Sequence, residues 1–119
     1  MIIIAVSSKT NKTIPKLICG KWKHVAPIII NKDQLTLYQF TRPYRRVTPI
    51  KLQWRDIRIL EQHGWQFITT PYSPPRVDIG QIRAVTCVEF TKRTIGIKDF
   101  SIQTPNQMVK KLSKYKTAI

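Results

Sequence analysis

The longest apolar stretches alternate with short polar breaks, and each break carries a turn or cap signal. Ile2 to Val6 is a continuous β-branched run bounded by Ser7-Ser8, which predicts a short buried strand. Thr13 to Cys19 predicts a short helix, with Thr13 as cap, Pro15 in the first turn and Gly20 as stop. A strand beginning near Trp22 or His24 runs to Ile30, and Pro27 within it predicts an edge or a bulge. Asn31-Lys32-Asp33 is a turn, and Gln34 to Phe40 returns as the second arm of a hairpin. Thr41 to Pro49 reads as a basic loop, Trp54 to Gln62 as a helix stopped by Gly64, Trp65 to Ile68 as a strand, and Thr70 to Gly80 as a Pro-rich loop.

The stretch Thr86 to Gly96 predicts a helix with both ends written locally. Thr86 is an N-cap residue with Glu89 three positions later, the capping-box spacing. Gly96 suits the C′ position, and Lys92 and Arg93 suit the negative end of the helix dipole. Ile97 to Ile102 reads as extended. Thr104-Pro105-Asn106-Gln107 opens a last helix with Met108, Val109 and Leu112 inside and lysines outside. The mixture is α+β, without repeats or low-complexity segments.

Length and composition sharpen this picture. At 119 residues the chain predicts a single domain, 1–119, with a basic tail from about 113 to 119. A hydrophobic fraction of 42% suits a folded globule. The formal charge of +15 favours anionic partners: nucleic acid, phospholipid head groups or acidic cell-wall polymer. Two cysteines far apart make no disulfide framework. The apolar start lacks the basic leader and length of a signal peptide, and no run reaches the ~20 residues that span a membrane. The expectation is a soluble protein with reduced thiols.

The candidate chemistry centres on Cys87. At the first helical position it faces unpaired N–H groups and the positive dipole end, which favour a thiolate; the plain alternative is a small buried side chain. Of the two histidines, His63 falls in the last turn of a helix and reads as a partner of helix carbonyls. His24 opens an apolar strand and reads as a base, or as an ordinary packed histidine. Gln39, near the end of the second hairpin arm, is the candidate orienter of the imidazole or donor to an oxyanion, or a solvent-facing strand residue. Arg42, Arg45 and Arg46, around Tyr44, form a candidate anion-binding loop. A zinc site from Cys19, His24, His63 and Cys87 matches no familiar spacing. No Gly-rich phosphate loop and no catalytic carboxylate pair is present, and no cofactor or metal is expected.

The order Trp22-Lys23-His24-Val25, Leu37-Tyr38-Gln39-Phe40, Thr86-Cys87-Val88-Glu89-Phe90-Thr91-Lys92-Arg93 into Gly96-Ile97, then Thr104-Pro105, resembles a known pattern. It is similar to the small phage and bacterial proteins of the circularly permuted NlpC-like, papain-like group, distantly related to the lecithin retinol acyltransferases. The resemblance covers roughly Val6 to Leu112. It implies a small papain-like fold, an antiparallel sheet with the nucleophile-bearing helix packed on it. It implies Cys87 as nucleophile, His24 as base and Gln39 in a third position that is often acidic or His. Gln can orient an imidazole but does not stabilise imidazolium as a carboxylate does.

The implied activity is a cysteine hydrolase, amidase or acyltransferase acting on peptide, cell-wall peptide or lipid ester. The implied setting is the bacterial host cytoplasm or a phage virion, with virion proteins as partners. The alternative is an inactive basic binding or virion structural module contacting nucleic acid or protein through Arg42, Arg45, Arg46, Arg55, Arg58 and the C-terminal lysines.

Overall fold

The computed structural model describes residues 1–7, 24–41, 46–84 and 86–115. The helix expected over Thr13 to Cys19 lies outside them, as do Cys19, Arg42 and Arg45. Five antiparallel strands make one sheet: β1 (Ile2–Ser7), β2 (His24–Asn31), β3 (Gln34–Thr41), β4 (Arg46–Leu52) and β5 (Trp65–Thr70), in the order β4-β3-β2-β1-β5. The helices are α1 (Trp54–Gln62), α2 (Cys87–Ile95) and α3 (Pro105–Leu112), with a 3₁₀ turn at Ile79–Gln81. The α+β class and the antiparallel sheet stand as expected from the sequence.

β1 is the centre because it is apolar on both faces. Every residue from Ile2 to Ser7 is buried. Ile3 and Ala5 join Ala26, Ile28, Leu35, Leu37 and Phe67 against Ile57 of α1. Ile2, Ile4 and Val6 join Val25, Ile29, Phe40 and Ile68 against Val88, Phe90 and Ile95 of α2 and Met108 and Leu112 of α3. The sheet is therefore the middle of three layers, and the alternation of strand side chains decides which layer each residue meets. Thr70 Oγ1 donates to the Ile2 carbonyl at 2.7 Å and closes the β1–β5 edge.

Two expectations need correction. The loop expected over Thr41 to Pro49 is strand from Arg46 onward, where β4 pairs with β3 from Leu35↔Leu52 to Thr41↔Arg46. Its Val47, Thr48 and Ile50 favour extended backbone, and Pro49 is tolerated because β4 is an edge. Ile97 to Ile102 is not extended: the Ile102 N–H donates to the Asp99 carbonyl at 3.2 Å, closing a turn. On the β1 side Pro27 pairs opposite Ile4 without a break, and the edge expected at Pro27 is a local one. The cost falls on the other side. The β2–β3 register runs from Asn31↔Gln34 only to Ile28↔Leu37, stopping where Pro27 has no N–H to give. Tyr38 to Thr41 keep their pairing with β4 on the far side of β3 and have none with the start of β2.

Candidate functional site

Helix α2 is built as its sequence implies, with one exception. Thr86 is the N-cap, extended at φ −131 and ψ 161, and its Oγ1 accepts from the Glu89 N–H at 3.0 Å. The Glu89 carboxylate does not complete the capping box. It pairs forward with Arg93 at 2.9 Å, an i,i+4 ion pair on the exposed side. Gly96 ends the helix in the left-handed region at φ 82, a conformation that a Cβ disfavours. Lys92 turns outward from the helix and donates to the carbonyls of Asp99 and Ile102 at 2.9 and 2.7 Å. Cys87, half-buried at the first helical position, packs on the core beneath α2 and α3.

The position of α2 follows from Phe90. Its ring stacks on Phe40 with centroids 5.8 Å apart and planes 19° from parallel. Phe40 lies in the part of β3 beyond Leu37, at the end of the sheet where β2 begins. Cys87 is three residues before Phe90, about 4.5 Å along the axis at 1.5 Å per residue. The thiol and His24 thus belong to the same end of the sheet.

They belong to opposite faces of it. Along β2, Val25 and Ile29 meet the α2 and α3 side, while Ala26 and Ile28 meet the α1 side. His24 follows the second set. Its ring meets Trp65 edge-on, 6.0 Å between centroids and 89° between planes, and Trp65 packs on the α1-side cluster. Both residues pair with Ser7 across β1. Burial depresses the His24 pKa below 6.5, so the ring is neutral at pH 7. Its Nε2 is buried with no hydrogen-bond partner among the described residues.

Gln39 shares the parity of Leu35 and Leu37, and so the α1 side, opposite Thr48 of β4. It makes no hydrogen bond to His24 among the described residues. Thr91, one turn beyond Cys87, is fully buried, and its Oγ1 has no partner among the described residues. His63 closes α1, its Nδ1 2.8 Å from the Ile59 carbonyl to which it donates, the role expected of it. Arg46, exposed, begins β4. Among the described residues no group of three or more His, Cys, Asp or Glu could hold a metal ion. Nor is any described helix long and apolar enough to cross a membrane.

The sequence reading missed Trp65 as the neighbour of His24. Both residues start strands that flank β1, so the signal lay in strand pairing rather than in any local motif. Neither the family models, nor the curated proteins, nor the solved structures compared with the chain give a match.

Proposed function

We propose that the chain is a thiol-dependent hydrolase or acyltransferase of the permuted papain-like type, with Cys87 as nucleophile and His24 as base. The observation that carries this reading is the buried Nε2 of His24, which has no hydrogen-bond partner among the described residues, at the sheet end where the Cys87 helix begins. Buried polar nitrogens are nearly always satisfied, and an orphan of this kind is a mark of a functional group. A neutral imidazole can take a proton; a helix N-terminus favours the thiolate that results. His24 is the first residue of β2, and β3 no longer pairs with that half of the strand. For the pair to form, His24 has to leave the α1 face, because the direction of its Cβ and not its χ1 decides which face of the sheet the ring meets.

In the proposed reaction the Cys87 thiolate attacks an amide or ester carbonyl and forms a thioester. The amine or alcohol leaves with the proton held by His24. Water, deprotonated by His24, then cleaves the thioester. A panel of peptide and ester substrates tests this. Turnover that is lost in both Cys87→Ala and His24→Ala, with both variants folded, is the expected result. Turnover retained in either variant refutes the assignment.

A second reading rests on a separate observation. The +15 charge is what remains after all six carboxylates are counted, and four of the six are also held in local contacts. Asp56 accepts from the Gln53 N–H at 2.8 Å, Asp78 from Gly80 at 3.0 Å, and Glu89 and Asp99 are engaged with Arg93 and Ser101. Exposed Arg55 and Arg58 on α1 and Lys110 of α3 make no ion pair among the described residues and present their charge to a polyanion. Binding to nucleic acid that falls steeply with salt and persists in Cys87→Ala is the corresponding test.

A further inference from the structure

One exposed side chain has no packing role. Phe100, in the turn between α2 and α3, is 90% exposed. The turn that carries it is firmly held. Lys92 bonds the carbonyls on either side of it, at Asp99 and Ile102. The Ser101 N–H and Oγ donate to Asp99 Oδ1 at 2.9 and 2.6 Å, and Gln103 Nε2 donates to the Phe100 carbonyl at 2.7 Å. Ile102, 2% exposed, anchors the turn in the core. A loose loop could fold a phenyl ring away from water. This turn fixes the ring outward, so its exposed face is preorganised for a flat partner.

Next to Ser101 lies an open groove of about 470 Å³, lined by Ser101, Ile102, Gln107, Lys110, Lys111 and Lys114. Lys110 lies in the last turn of α3 and Lys114 in the turn that follows the helix, with Lys111 between them in sequence. Asp99 reaches Lys111 at 3.7 Å and offsets part of its charge. Lys114 also lies 5.2 Å from the Tyr115 ring centroid. A fixed exposed aromatic beside a cationic groove is the combination that holds single strands: bases stack on the ring while ammonium groups follow the phosphates.

We propose that this surface binds single-stranded nucleic acid, with a base on Phe100 and phosphates at Lys110, Lys111 and Lys114. The proposal rests on the cationic-surface reading above and is independent of Cys87. A duplex keeps its bases stacked on each other and leaves the ring without a partner. A flat anionic bilayer cannot fill a concave groove, and one ring adds little insertion.

The test is fluorescence anisotropy of the full chain with a labelled oligothymidylate, with a duplex of equal length, and with vesicles of phosphatidylcholine and phosphatidylserine. Single strands are expected to bind more tightly than duplex. Phe100→Ala should weaken the single strand about tenfold and leave the duplex unchanged. Replacing Lys110, Lys111 and Lys114 with Gln should lower the slope of log affinity against log salt by about 2. Since Phe100 and the lysine head groups point to solvent, these variants keep the fold. Oligothymidylate binding undiminished in both variants overturns this site while the broader cationic reading stands. Absence of nucleic-acid binding refutes both, and vesicle binding lost in the variants assigns the surface to a bilayer instead.

Discussion

Under α1 the sheet meets a helix through one buried side chain, Ile57, and the strands themselves supply Phe67, Leu35 and Leu37. On the opposite face two helices descend, bringing Val88, Phe90, Ile95, Met108 and Leu112. The thinly covered face holds His24 and Gln39; the thickly covered face holds Cys87. A one-residue difference in strand parity therefore separates a candidate base from a candidate nucleophile at the same end of the sheet. The heavily packed side positions the thiol helix firmly. On the α1 side the imidazole meets the Trp65 ring, and among the described residues its Nε2 has no hydrogen-bond partner.

Removing the main anchor of the thicker face should have the largest effect. Phe90→Ala, at a fully buried side chain stacked on Phe40, is expected to cost about 3–5 kcal/mol in urea unfolding. Ile57→Ala on the other face should cost about 2–4 kcal/mol, since α1 has no second buried anchor. The double variant tests whether the faces are independent: the two costs should add to within about 0.5 kcal/mol. A larger coupling would mean that the sheet transmits packing from one face to the other.

Thr86→Ala should be milder, about 1 kcal/mol, because it removes one cap bond from the Glu89 N–H. It should also slow thiol alkylation of Cys87 as the first turn frays. The smallest effect is pH-dependent. Burial holds the folded-state pKa of His24 below 6.5, so below that pH the unfolded chain binds the proton more readily. The stabilisation is whole above 6.5 and is lost as the pH falls through the folded value. Urea unfolding between about pH 5 and 8 should show stability falling toward acid, and His24→Phe should flatten that fall.

The parts of this architecture that could be read from sequence were those with local causes. The ends of α2 needed only Thr86 and Gly96. Those of α3 needed Thr104 and Gln107, whose reciprocal bonds are present at 3.2 and 3.0 Å. β4 was hidden because arginines and Pro49 mask a strand whose exposed edge permits them. The turn at Phe100 was hidden in an apolar-looking stretch, although Asp99 followed two residues later by Ser101 is an Asx-turn spacing.

The face of His24 could not be read at all. Val25 to Ile29 are buried on both sides, so the run has no polar alternation to show its parity. The hairpin reading also brought Gln39 alongside His24 by assuming a full ladder, which Pro27 cuts short.

The most direct test is the rate of Cys87 alkylation against pH, in a Cys19→Ser background, with and without His24→Ala. A helix N-terminus alone lowers a thiol pKa, so dependence on His24 is the deciding part. The account predicts a reactive pKa well below the usual value of about 8.5, rising clearly in His24→Ala. A pKa at or above about 8.5, or one that His24→Ala leaves in place, would contradict it: the imidazole would then stay on the Trp65 face and the pair would never form.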